Sequence, residues 1–292
     1  MDLRAHLELG KARRKARDYA GAAEVYLDIL VTDPSQPAAL MGLADARRGL
    51  GQYALALEAW QRYLEIRPGT ASDLVRMGDA YRKTGRRDLA EEHYRKALDL
   101  DEDNRHALMG LGDLYHRDKR FDLALECWER LLALDGTLVN ILAQVGNLYR
   151  KRLDFARAEA RFRSVLVLDP GNPFGLFGLA DALRGLGRFE EAAPYWDVIL
   201  AADSGNLQVL TRAADCFLRL GQLDKAEHLC RKALVDGYDK PALMSLARVL
   251  RERGQWPEAM ACLEQILARV PGDHRAQTLL RETRAQAGLP VE

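Results

Sequence analysis

Apolar and polar residues follow a helical rhythm along this chain, and the rhythm restarts every 34 residues. Residues 71–104 display it most plainly. With that block numbered 1–34, positions 4, 7, 8 and 11 fall on one face of a helix, and positions 20, 24, 27 and 28 on one face of a second. Both sets keep the i, i+3, i+4, i+7 spacing of an amphipathic helix. The block therefore predicts a first helix, a turn near Gly85, and a second helix. Helices below ~12–15 residues are marginal alone in water, so each must bury its apolar face on a neighbour. Small residues recur where the two would cross. Position 8 reads Gly10, Ala44, Gly78, Gly112, Gly146, Ala180, Ala214 and, after one deleted residue, Ala247. Position 20 is Ala throughout, from Ala22 and Ala56 to Ala226 and Ala259. Small side chains at a crossing let helix axes approach to ~8–10 Å or closer.

A period of this length marks a tandem array of helix pairs. The pattern Gly78, Tyr81, Gly85, Ala90, Tyr94 and Ala97 resembles the tetratricopeptide repeat family, and the resemblance covers nearly the whole chain. Eight repeats fit, at 3–36, 37–70, 71–104, 105–138, 139–172, 173–206, 207–239 and 240–273, with residues 274–292 as a C-terminal capping helix and tail. The family's turn proline stands at Pro34, Pro68, Pro170 and Pro271, and gives way to Glu102, Gly136 and Ser204 elsewhere. Its tryptophan at position 4 is replaced by leucine, from Leu40 to Leu243. The resemblance implies an all-α solenoid of eight helix-turn-helix units wound into a right-handed superhelix. It also implies a concave surface formed by positions 2, 5, 6, 9, 12 and 13 of the first helices. Fold alone does not assign function.

Charge changes the picture by exclusion. Acidic and basic residues balance at 43 each, so no global field recruits nucleic acid or an anionic membrane. The N-terminal MDLRAHLELG is charged and lacks an apolar segment, and no run approaches the ~18 apolar residues of a membrane span. A cytoplasmic protein with no membrane insertion is expected. Cys127, Cys216, Cys230 and Cys262 lack metal or CxxC spacing and read as small buried hydrophobes. There is no HExxH, Walker or GxSxG motif, so neither an enzyme nor a cofactor is expected.

Local departures carry their own expectations. The first repeat's helix is basic, with Lys11, Arg13, Arg14, Lys15 and Arg17, which suits a solvated cap or a patch for an acidic partner. Pro194 lies about one turn into the second helix of repeat 6 and predicts an irregularity within 189–202. Repeat 7 lacks one residue at 236–238, which should change how repeat 8 packs on it. Residues 274–287 form one more helix with a polar outer side, as the end of a solenoid needs.

A longer period of 68 residues overlies the first. Position 24 is Trp60, Trp128 and Trp196 in even repeats but Tyr94, Phe162 and Cys230 in odd ones. Position 6 is Gly42, Gly110 and Gly178 against Arg76, Gln144 and Arg212, and position 5 is Met41, Met109 and Phe177 against Val75, Ala143 and Thr211. Position 21 is Glu91, Glu159 and Glu227 in odd repeats. The alternation is either an inherited duplication or a binding surface that alternates, with glycine-floored dips in even repeats and cationic side chains in odd ones.

A charge ladder runs beside it. Position 9 reads Asp45, Asp79, Asp113, Asn147, Asp181 and Asp215, and position 12 reads Arg48, Arg82, His116, Arg150 and Arg184, before Leu218. Three-residue spacing places each acid beside a base on one helix, a pairing that adds only ~0.2–0.5 kcal/mol to the helix. The ladder is either an ordinary polar choice for this repeat or a column of acceptors beside a column of donors that grips a partner segment. Met41, Asp45, Arg48, Arg76, Asp79, Arg82, Met109, Asp113, His116, Asn147, Arg150, Phe174, Phe177, Asp181, Arg184, Arg212 and Asp215 are the predicted partner-binding residues, with Phe174 and Phe177 the strongest anchor. The family's carboxylate-gripping set is not reproduced: Asn147 and Arg212 match, but Ala143, Gly178 and Gln208 occupy the other places. The sequence points to a scaffold or adaptor that holds an extended segment of another protein or peptide. A self-assembling structural protein, or a regulatory subunit of a larger complex, is the alternative.

Overall fold

The computed structural model describes residues 2–202 and 205–290. Ser204, the sixth repeat's substitute for the turn proline, lies outside them. Among the described residues the chain is helical with no strand, in seventeen helices. Eight first helices of thirteen residues are α1 (Leu3–Lys15), α3 (Pro37–Gly49), α5 (Ala71–Lys83), α7 (Arg105–Arg117), α9 (Val139–Lys151), α11 (Pro173–Gly185), α13 (Leu207–Arg219) and α15 (Lys240–Glu252). The second helices are α2 (Tyr19–Thr32), α4 (Tyr53–Ile66), α6 (Arg87–Leu100), α8 (Phe121–Leu134), α10 (Phe155–Leu168), α12 (Phe189–Ala202), α14 (Leu223–Ala233) and α16 (Trp256–Arg269), and α17 (His274–Gln286) follows. The chain divides into two compact units, residues 1–137 and 138–292.

Helix ends are set by side chains at fixed repeat positions. The residue before most first helices accepts from their first turn, as Thr70 does from Asp73 in a capping box and Asn172 from the Gly175 N–H at 3.0 Å. The turn between paired helices needs a left-handed residue at position 15. Glycine supplies it at Gly51, Gly85, Gly187, Gly221 and Gly254, but Arg17, Lys119 and Leu153 adopt φ of 62°, 59° and 62° against their side chains' preference.

In the first unit each first helix packs on its own second helix, and α2, α4 and α6 pack in turn on the next first helix. The alanines of position 20, Ala22, Ala56, Ala90 and Ala124, are wholly buried, and so are the Trp60, Tyr94 and Trp128 rings beside them. In the second unit Ala158, Ala192, Ala226 and Ala259 do the same, around Phe162, Trp196 and Cys230. α12 runs unbroken through Pro194, whose exposed ring does not interrupt it. In repeat 7, which is one residue short, α14 has eleven residues, and a turn through Gly237 at φ +126° leads into α15. α17 packs on α16, burying Ala276 and Thr283.

The 68-residue period has a packing cause. The aromatic ring at position 24 of an odd repeat lies between two first helices, its own and the next. Tyr26 meets Gly10 and Gly42, Tyr94 meets Gly78 and Gly110, and Phe162 meets Gly146 and Gly178. A Cβ on Gly178 would stand 2.3 Å from the Phe162 ring, and one on Gly42 the same distance from Tyr26. The position-6 glycines are therefore buried seats for a neighbouring ring and not floors of open dips. Position 21 follows the same alternation. Glu91 holds Arg95 and Arg120 at 2.7 and 2.6 Å, and Glu159 holds Arg163 and Arg188 at 2.8 and 2.7 Å. Repeats 3 and 5 thus carry both the ring and the carboxylate that fasten the following even repeat.

Candidate partner-binding face

The residues singled out on positions 5, 6, 9 and 12 do come together on the first helices, but they bond mainly to each other. The decisive spacing is 31 residues, position 12 of one repeat to position 9 of the next, or position 9 to the following position 6. In the first unit Asp45 is half-buried and receives Arg14 from α1, Arg76 from α5 at 3.5 Å, and Arg48 from its own helix at 3.9 Å. Arg76 also lies 3.6 Å from Asp73 and 3.8 Å from the Met41 sulfur. Asp79 pairs with Arg82 at 3.3 Å and accepts the Tyr94 hydroxyl at 2.7 Å.

Asp113 stands apart. It is half-buried and makes no ion pair among the described residues, and desolvation pushes its carboxyl above the ordinary value despite the opposing pull of Arg82, Arg117 and His116. His116 turns toward Phe121 and Trp128, at ring distances of 5.7 and 5.3 Å. The fourth repeat therefore lacks an arginine at position 12 to satisfy its acid. Met109, two turns of sequence pattern away at position 5, is exposed.

The second unit holds the most complete arrangement. Asp181 is only 1 % exposed and is surrounded by three guanidinium groups: Arg150 from α9 at 2.7 Å, Arg184 of α11 at 2.9 Å, and Arg212 from α13. Burial raises its carboxyl, but the charges of Arg212 and Arg184 and bonds from Arg150 and Arg184 outweigh it, and the net shift is downward. Arg150 also donates to Asn147 at 3.2 Å, and Arg184 reaches Asp215 at 3.0 Å. The sequence suggested i, i+3 pairs within helices; the larger share of this lattice crosses between helices.

The same arginines frame an aromatic site. The Arg150 and Arg212 guanidiniums lie 5.5 and 5.8 Å from the Phe177 ring centre, within cation–π range. Phe177 in turn meets Trp196 edge-on at 5.6 Å and 87°. Phe174, one turn earlier, is 66 % exposed. Beside them opens a depression of about 490 Å³, walled by Phe174, Phe177, Val198 and Ile199 and rimmed by Asn147 and Gln208. Val198 and Ile199 escaped the sequence reading because they belong to a second helix; only the apolar character of Val198 at an exposed position hinted at a role.

Among the described residues no group of histidine, cysteine and carboxylate side chains could hold a metal ion. The four thiols are buried, and burial pushes those of Cys216 and Cys230 up to about 12 and that of Cys127 to about 11. No described helix is long and apolar enough to cross a membrane.

A family model described as tetratricopeptide repeat matches residues 75–137, 146–207 and 177–242, more than half of the chain. Two further tetratricopeptide repeat models match 35–103 and 240–280. The chain belongs to the tetratricopeptide repeat (TPR) family. No curated protein sequence matches it. Solved TPR structures do. The C-terminal part of a TPR repeat-containing protein from Cytophaga hutchinsonii aligns over 94% of this chain and 99% of its own, at 19% identity and a TM-score of 0.58. A TPR protein from Parabacteroides merdae aligns over 85% and 98%, at 17% identity and 0.52. YrrB, described as a TPR protein with an unusual peptide-binding site, aligns over 59% of this chain and 89% of its own, at 16% identity and 0.52. At these identities the likeness concerns the fold. The TPR fold is that of a protein-interaction scaffold in general, and on α11 the exposed Phe174 stands near the ion-pair cluster around Asp181.

Proposed function

We propose that this TPR protein is a non-catalytic, cytoplasmic scaffold whose first helices hold an extended segment of a partner protein. The observation that carries the reading is Phe174, two-thirds exposed beside the apolar depression on α11, over arginines immobilised by Asp181. An exposed aromatic of this kind costs solubility, and aromatic and arginine side chains dominate binding energy at protein interfaces. That a structurally similar TPR chain is described as having a peptide-binding site supports the reading.

Roles divide by burial. Phe174, Phe177, Met41 and Met109 supply apolar contact. Arg48, Arg76, Arg82, Arg150, Arg184 and Arg212 present donors and stacking planes, and Asn147, Asp79, Asp113, His116 and Asp215 add acceptors or donors at the edges. Asp45 and Asp181 act as positioning residues beneath the arginines. Adjacent first helices ~10 Å apart and an extended chain rising ~3.3 Å per residue give about three partner residues per repeat.

Self-association through the basic α1 is the weaker reading. Lys11 is engaged by Glu8 at 2.8 Å, Arg13 lies 3.8 Å from Asp18, and Arg14 is bound to Asp45. The test is affinity capture from the native host with the wild type, Phe174→Glu and Glu190→Lys. Glu190 is an exposed residue of α12. A protein retained by the wild type and Glu190→Lys but lost from Phe174→Glu is the expected result. Equal capture by Phe174→Glu would overturn the assignment of the face.

A further inference from the structure

We infer that the face of α11, α13 and α15 selects a segment in which a bulky apolar side chain is followed, about six residues later, by carboxylates. The inference rests on the groove reading above and specifies its ligand.

Two depressions adjoin here and share Gln208 as part of their walls. The first is the apolar one beside Phe174. The second, of about 740 Å³, lies among α13, α15 and the start of α17, and its character is cationic. Arg212, Lys240, Arg248 and Arg275 line it, against Asp215 and Asp239. Most of these charges are already spent inside the chain. Arg212 is bound to Asp181, Asp215 to Arg184, and Lys240 to the buried Asp273. Asp239 caps α15 by accepting the Ala242 N–H at 2.7 Å.

Arg248 and Arg275 are different: among the described residues neither has a carboxylate within ion-pair reach. They come from different helices, α15 and α17, and both line the same opening. Two guanidiniums with no internal counter-charge favour an anionic occupant and repel a basic one. Arginine suits carboxylates in particular, because its planar fork matches their two oxygens. Stepping from α11 past α13 to α15 covers ~20 Å, or about six residues of extended chain. An apolar side chain seated by Phe174 would thus place the residues about six positions along the segment beside Arg248. The reverse order along the segment satisfies the same geometry, so the spacing, and not the direction, is the prediction.

The test is display selection of random twelve-residue peptides on the full chain, followed by fluorescence anisotropy with the most enriched peptide. Peptides with an aromatic or leucine about six residues from aspartate or glutamate are expected. Arg248→Glu combined with Arg275→Glu should weaken binding by about tenfold or more, and replacing the peptide's carboxylates by lysine should restore it. Raising salt should weaken the wild-type complex more than that of the double variant. Arg275 is exposed and Arg248 half-buried, so thermal melts of the variants should match the wild type, and Arg275→Glu alone provides a second reading at a fully surface site. Enriched peptides without acidic residues, or unchanged affinity in the double variant, would overturn the inference. If such peptides still fail to bind Phe174→Ala, the groove reading stands and only the acidic specificity falls. If no selected peptide depends on Phe174, both fall.

Discussion

Replacing Asp181 by asparagine is the sharpest test of how the first-helix face is built. The side chain keeps its size and one carbonyl acceptor but loses the charge that three guanidiniums share. Asp181 is 1 % exposed, so water cannot substitute for it, whereas the Arg150, Arg184 and Arg212 side chains are 16, 23 and 33 % exposed and recover some hydration. Removing one partner of a fully buried pair costs ~3–5 kcal/mol. Partial exposure of the arginines, the retained carbonyl and the nearby Asp215 reduce this to about 2–3 kcal/mol. The pH dependence has a defined sign. The folded carboxyl lies below its ordinary value, so its contribution is complete above the unfolded value of ~3.9 and is lost as pH falls through the lower folded one. The gap between wild type and Asp181→Asn should therefore be constant from about pH 5 to 8 and close in stronger acid. Tandem repeats can unfold in parts. Urea melts should accordingly be paired with hydrogen exchange on peptides covering α9, α11 and α13, where protection should fall. A loss below about 0.5 kcal/mol, the range of an ordinary surface substitution, would refute the view that this carboxylate organises the face.

The same repeat position predicts the opposite outcome at Asp113. Its carboxyl is raised by desolvation and unpaired, so the ionised form weighs against the fold; the related stability is present in acid and lost as pH rises through the raised folded value. Asp113→Asn should be as stable as wild type or more so in neutral urea melts, with the gain vanishing in acid. Gly178→Ala drives a methyl group to 2.3 Å from the Phe162 ring and should cost about 1–3 kcal/mol by thermal melt, whereas Gly171→Ala, with nothing within 4 Å, should cost far less. Leu153→Gly should stabilise by about 0.5–1 kcal/mol, because Leu153 is exposed and held at φ 62°.

The helix pairs were legible because each copy of the period must make the same contact, so Ala at position 20 and small residues at position 8 announce the crossing eight times. The turn residue at position 15 was equally readable where it is glycine. What sequence reading missed lies between repeats. Asp45 and Asp181 looked like acceptors set beside Arg48 and Arg184 for a ligand, since i, i+3 spacing is visible on a helical wheel. Their stronger partners, Arg14 and Arg76 or Arg150 and Arg212, sit 31 residues away, one repeat less one helical step. Gly42 and Gly178 looked like floors because a glycine alone does not reveal which ring fills its space; pairing position 6 with position 24 of the preceding repeat would have shown it. Phe174 and Phe177 were recognisable as an anchor, but Val198 and Ile199 belong to a second helix and join the depression only in three dimensions.

Site-specific photocrosslinking in the native host tests the central claim most directly. Benzoylphenylalanine would be placed at position 174 on α11, and in a second strain at position 190 on α12. The account predicts a partner adduct from position 174 and none from position 190. Adducts from position 190 alone, or none from 174 while the protein is abundant and folded, would contradict the proposal that partners bind along the first helices.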